Sequence, residues 1–182
     1  MANYNKKLTD TELRIYCRYS YLSVFKPRAP KDGVGDPKYQ CTCLVDKKDA
    51  AAVQMIREAE EAAKKLYREK FGKTLSPRAK NVIYDGDIDF PDNPECEGKL
   101  VIRSASKRKP VVQVMENGTR VDALDEEDVK SGDYGVVVIN FYPYDSGSAQ
   151  GITAGLNAIL KLEDGDALGG GSFNADEAFG DI

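Results

Sequence analysis

Residues 12–26, ELRIYCRYSYLSVFK, alternate in character with a two-residue period, which commits this part of the chain to a sheet. Leu13, Ile15, Cys17 and Tyr19 share one face, and Arg14, Tyr16 and Arg18 share the other. The first face can enter a core. The second sets a ring between two guanidinium groups. The run suits one long strand or two joined by a bulge, and a bulge would decide whether Phe25 stays on the apolar face.

The same period returns further on. Tyr39, Cys41, Cys43 and Val45 alternate with Gln40, Thr42 and Leu44. Segments 99–105 (KLVIRSA), 111–115 (VVQVM) and 134–142 (YGVVVINFY) also read as strands, and Asn117-Gly118 suits a turn with φ > 0. In ITAGLNAILKL, 152–162, the apolar residues again fall every second position, while Gly155 and Asn157 would weaken a helix. This too is a strand.

One segment has the helical period instead. Across 49–71, Val53, Ile56, Ala63, Leu66 and Tyr67 recur at helical spacing, with Asp46 or Asp49 able to cap the start and Gly72 the end. Segments 27–37, 73–98 and 143–151 are loops by their Pro, Gly and Asp content. The expected fold is mainly β: an OB-like antiparallel barrel over residues 1–168 with one inserted surface helix. A small sandwich would fit the same strands. After residue 168 the sequence GGGSFNADEAFGDI carries three acids and no Lys or Arg. It cannot bury enough apolar surface to hold itself, so 169–182 reads as a disordered acidic tail.

The formal net charge of -4 conceals a polarity. Residues 1–120 carry a net +7 and residues 121–182 a net -11. A polyanion responds to the local field rather than the total, so the acidic sum does not exclude nucleic acid. His is absent, and the four Cys form no CxxC pair. A zinc site would need Cys41 and Cys43 to converge with Cys17 and Cys96, whereas free buried thiols in a reducing cytoplasm are the ordinary reading. No stretch has the length of a membrane span or of a signal-peptide core, so no membrane association is expected.

Single-stranded nucleic acid requires rings for its bases and cations for its backbone. Arg14, Tyr16 and Arg18, extended by Lys26, Arg28 and Lys31, offer both. Lys107, Arg108 and Lys109 form a basic turn beside Arg103; Tyr142 ends the strand 134–142, and Tyr144 lies past Pro143 in the Gly/Ser loop. The alternating acids Asp85, Asp87, Asp89 and Asp92 suggest a metal loop, but Phe90 stands where EF-hand spacing requires Gly. Without His, GxSxG, a P-loop or GxGxxG, nothing asks for catalysis or a cofactor.

Several of these stretches have a known likeness: YLSVFKPR (21–28), YDGD (84–87), SASKRKP (104–110), VINFYPYDS (138–146) and GITAGLNAILKLEDGDALGG (151–170). Over roughly 12–170 they resemble a family of bacteriophage single-stranded-DNA-binding proteins with an OB fold. The acidic end resembles the tail of the replication single-stranded-DNA-binding protein of T7-like phages, although here it closes on GDI rather than Phe. That likeness implies self-shielding of the DNA cleft, or docking of a phage polymerase, helicase or recombinase, through Asp176, Glu177, Phe179 and Asp181.

The expectation is therefore a non-enzymatic, sequence-nonspecific single-stranded-DNA binder of phage replication or recombination. It would act in the cytoplasm of the infected bacterial host. Homodimerisation is compatible with the sequence, but no stretch demands it. A virion assembly or structural interaction protein is the alternative, and a metal-dependent nuclease a more distant one.

Overall fold

The computed structural model describes residues 3–30 and 32–168. Its elements are β1 (Lys6–Lys7), β2 (Glu12–Arg28), β3 (Lys38–Asp46), α1 (Ala50–Phe71), β4 (Ile83–Asp85), α2 (Gly86–Asp89), β5 (Lys99–Ser106), β6 (Val111–Glu116), β7 (Thr119–Asp122), β8 (Tyr134–Asp145) and β9 (Gln150–Glu163). Strands β5, β3, β2, β8 and β9 pair in that order, and a bridge between Ala105 and Gly155 returns β9 to β5. The result is a closed five-stranded OB-like barrel.

The closing bridge is parallel, as is the pairing of β6 with β9, so the barrel is mixed rather than wholly antiparallel. Alternation specifies which side chains face inward. It carries no information about strand direction: along β5, β3, β2, β8 and β9 each strand is antiparallel to the next, so the first and last of the five run the same way and their closure is parallel. The β6–β7 hairpin turns at Asn117 (φ 50°) and Gly118 (φ 76°), as the Asn-Gly pair requires.

Leu13, Ile15, Cys17 and Tyr19 fill the barrel with Cys41, Cys43, Ile102, Ile139, Phe141 and Leu156. Midway along β2 the register slips: Ser20 pairs with Thr42, but Ser23 pairs with Gln40. Three residues thus span what two span on β3, a β-bulge containing Tyr21. The bulge switches the phase of the strand. Val24 becomes the buried residue, and Phe25 is left half-buried at the flank.

Helix α1 begins under an Asp49 cap that accepts from the Ala52 N–H and ends at Gly72, whose φ of 70° is left-handed. It is more than a surface helix. Ala52, Ile56, Ala59, Ala63 and Tyr67 form a buried stripe against the barrel. The segment expected to be loop, 73–98, contributes β4 to the edge of β5, and a three-residue strand is too short to show a period. Its turn folds onto the outside of the barrel, where Leu44, Val101 and Cys96 form a second small core with Tyr84, Phe90 and Leu168. All four Cys are free and buried, and Cys96 lies in this outer cluster apart from the other three.

Candidate nucleic-acid interface

Where β9 closes onto β5, a groove of about 380 Å³ opens on the outside of the barrel. Tyr142, on β8, is 44% exposed there and pairs with Thr153. A Cβ on Gly155 would meet Tyr142 Cε1 at 3.5 Å, so the ring lies beside a backbone that bears no side chain. Lys38, Lys107 and Arg108 bring cations to the walls, and Asn140 and Asn157 bring amides. Those amides are oriented: Asn157 donates to Glu12 Oε2 at 2.7 Å, and Asn140 Oδ1 accepts from the Thr11 hydroxyl at 2.8 Å. Lys107 reaches Asp36 at 3.0 Å, but both side chains are about two-thirds exposed. Such a pair is weak and readily exchanged for another anion.

Beside the groove, the outer faces of β3 and β5 carry Gln40 and Thr42, paired in register with Ala105 and Arg103. The Arg103 guanidinium lies 5.0 Å from the Tyr84 ring centroid and 5.6 Å from that of Phe90, and the two rings meet edge to face. The cation is drawn to the π faces, and the rings rest on the Leu44–Val101–Cys96 cluster. This is an aromatic and cationic platform.

Arg14, Tyr16 and Arg18 share an outer face of β2, as their alternation requires, but each is already engaged. Tyr16 stacks with Tyr4 at 5.8 Å and with Tyr134 at 6.4 Å, making it the middle of three rings. Its hydroxyl donates to Glu163 Oε1 at 2.6 Å. Burial, and then that bond, hold the phenol pKa well above its ordinary value. Arg14 Nε donates to the Tyr4 carbonyl, and Arg18 donates to the carbonyls of Gly132 and Asp166.

The partner of this row is the chain's own continuation past β9. Residues 163–168 cross β2 as a strap: the Gly165 N–H donates to Asp133 Oδ1, and the Leu168 N–H to the Ser131 carbonyl. Backbone meets backbone without room for a side chain, since a Cβ on Gly165 would fall 1.9 Å from the Gly132 oxygen. The strap ends with Leu168 packed, like Tyr84 and Phe90, against the outer Leu44–Val101–Cys96 cluster.

The remaining residues singled out by the sequence lie around these surfaces. Lys26 pairs with Glu126 at 3.5 Å across a smaller cleft of about 270 Å³. Arg28 ends β2 opposite Lys38. Lys109 Nζ sits 5.6 Å from the Phe25 ring centroid, and Tyr144 is half-buried opposite Gly151. Lys31 and the tail residues Asp176, Glu177, Phe179 and Asp181 lie outside the described residues. Three of the acids in the 85–92 loop, Asp85, Asp87 and Asp89, are internally committed. Lys47 Nζ binds Asp85 and Asp87 at 2.6 Å each and lowers both carboxyl pKa values, while Asp89 accepts from the Asp85 N–H. Among the described residues no cluster of Cys, Asp or Glu is arranged to hold a metal ion.

The structure thus unites Lys107, Arg108 and Tyr142 in one groove, sets Arg103 beside it, and places Arg14, Tyr16 and Arg18 under the strap. Sequence reasoning passed over Lys38, Asn140 and Asn157. Lys38 had a usable signal, since it continues the outward parity of Gln40 and Thr42. The two Asn had none, because what gathers them is the closure of the barrel.

Comparison with known proteins identifies the family of the chain. The model of a protein family described as "Enterobacter phage Enc34, ssDNA-binding protein" matches residues 12–182. The single-stranded DNA-binding protein from bacteriophage Enc34, solved in complex with ssDNA, is 30% identical, with a TM-score of 0.77 over 90% of this chain and 96% of that one. A C-terminal truncation of that phage protein is 29% identical, with a TM-score of 0.75 over 92% and 99%. A protein called "Putative protein p50", from Acyrthosiphon pisum secondary endosymbiont phage 1, is 27% identical over 172 residues, 91% of this chain and 90% of its own length. The single-stranded DNA-binding protein gp2.5 of bacteriophage T7 shares the fold, at 15% identity and a TM-score of 0.58 over 95% and 94%.

Proposed function

Because the chain belongs to the family of the Enterobacter phage Enc34 ssDNA-binding protein, we propose that it binds single-stranded DNA without sequence preference in phage replication or recombination. The observation that carries this reading is the groove at the barrel closure, where Tyr142 lies open between Lys38, Lys107 and Arg108. A base stacks on a ring whatever its identity, and cations follow the phosphates by releasing counterions, so neither contact selects a sequence. The outer face of the second and third strands is where OB barrels hold oligonucleotides, and here those strands are β3 and β5. Arg103 with Tyr84 and Phe90 extends the track along that face. Arg28 and Lys109 flank its loops, Lys31 adds a cation to the sequence that joins β2 to β3, and Tyr144 shares the face of β8 with Tyr142.

In this reading Arg14, Tyr16 and Arg18 clamp the strap, and Lys26 lies off the track with Glu126. The tail that follows the strap has two roles. Asp176, Glu177, Phe179 and Asp181 compete with DNA for the basic groove at high effective concentration, and they dock a phage polymerase, helicase or recombinase once DNA displaces them. The protein acts in the host cytoplasm, either alone or as a homodimer. A gel shift with matched single- and double-stranded oligonucleotides tests the reading. Retardation of the single strand alone is expected, and equal retardation of both would overturn it.

A further inference from the structure

We propose that Tyr21 is a base-stacking residue of this interface, held outward by the β2 bulge. The inference rests on the single-stranded-DNA reading above. Tyr21 has φ 45°, and the only other non-glycine residue with positive φ among those described is Asn117. Asn117 sits in an Asn-Gly hairpin turn, and Asn tolerates left-handed geometry through its short polar side chain. Tyr has no such excuse. A β-carbon in this region is strained, and strained residues persist where the conformation is used.

The bulge is held through its backbone, the Leu22 N–H donating to Ser131 Oγ at 3.0 Å, and not through the Tyr21 ring. Tyr21 is 56% exposed, more than any other aromatic residue among those described. No other ring and no cation packs on it there. Its carbonyl is tied down instead, accepting from Gln40 Nε2 at 3.3 Å. The backbone is fixed and the ring is free, which is the arrangement a stacking platform needs.

The position suits the track. Ser20, next to Tyr21, pairs with Thr42, and Thr42 pairs with Arg103, so one row crosses from the bulge to the Arg103–Tyr84–Phe90 platform. Gln40 pairs with Ala105, a residue of the groove wall. Two strand spacings separate β2 from β5, about 10 Å. A straight strand would have kept the alternation and left no ring at this point. The bulge both turns Phe25 away and lifts Tyr21 out.

The chain contains no Trp, so Tyr21→Trp introduces a single fluorophore. Its emission is expected to be quenched when poly-dT is added, whereas a Trp in place of Leu124, which is 91% exposed and outside the groove, stays unquenched. Tyr21→Phe should bind a fluorescent dT oligonucleotide within twofold of the parent. Tyr21→Gly, which relieves the φ strain, should bind about 5- to 140-fold more weakly, the equivalent of ~1–3 kcal/mol at 1.4 kcal/mol per tenfold. Its thermal midpoint should be no lower than the parent's, which separates lost stacking from lost folding. Unchanged Trp emission on an oligonucleotide that binds by anisotropy, or parental affinity in Tyr21→Gly, would overturn the assignment of Tyr21 while leaving the DNA reading intact. A parent protein that fails to change the oligonucleotide's anisotropy overturns both.

Discussion

The hydroxyl of Tyr16 donates to Glu163 Oε1 at 2.6 Å, joining residues 147 positions apart and fixing the start of the strap to the outside of β2. A ring that the sequence offers as a stacking surface is used here to close the protein on itself. Its flanks are occupied by Tyr4 and Tyr134, and its polar end by the strap.

Tyr16→Phe should therefore be a stability variant rather than a binding one. It keeps the stacked row and removes the bond to Glu163, with an expected loss of about 0.5–1.5 kcal/mol in urea unfolding. Affinity for a dT oligonucleotide should stay within twofold. A tenfold loss of affinity with parental stability would return Tyr16 to the DNA surface.

Tyr142 should behave in the opposite way. Tyr142→Ala removes an open ring from the groove and is expected to weaken oligonucleotide binding by ~1–3 kcal/mol, while Tyr142→Phe retains it. Since the ring is 44% exposed, the unfolding midpoint should move little. Anisotropy and urea titrations on the same samples measure both quantities.

Lys47 supplies a pH signature. Hydrogen bonds from its ammonium group lower the pKa of Asp85 and of Asp87. A carboxylate with a depressed folded-state pKa stabilises the protein above its unfolded value, near ~4, and loses that contribution as pH falls through the folded value. Lys47→Met should thus be less stable than the parent at pH 7. The two unfolding midpoints should converge in acid below the carboxylate range. A gap that persists there would mean that Lys47 acts by packing its stem.

Much of this architecture was legible before any coordinates. The five barrel strands follow from alternation, including 152–162, where Gly155 and Asn157 weigh against a helix. The ends of α1 follow from Asp49 and Gly72. What stayed hidden depends on contacts between distant residues. The parallel Ala105–Gly155 closure, the three-residue β4 and the strap have no period to betray them. The site divided along the same line. Lys107, Arg108 and Tyr142 were visible as a basic turn and a strand end, whereas the engagement of Arg18 with Gly132 and Asp166 was not. The bulge was foreseen as an option, but that it would raise Tyr21 was not.

Removing residues 169–182 deletes Asp176, Glu177 and Asp181, which are tethered to Leu168 at the edge of the Arg103 platform. A tethered anion competes at an effective concentration set by its linker, so the truncated protein should bind dT oligonucleotides more tightly, most clearly at low salt. Equal affinity of the intact and truncated chains would remove the tail from the competition.

Whether unpaired DNA occupies the groove walled by Lys107 and Arg108 is decided by a salt series of oligonucleotide titrations. For the parent, log K for a single strand should fall linearly with log salt. Replacing both cations by Gln should make that slope shallower by about 0.7 per lost phosphate contact. A slope identical in the parent and the double variant would contradict that occupancy.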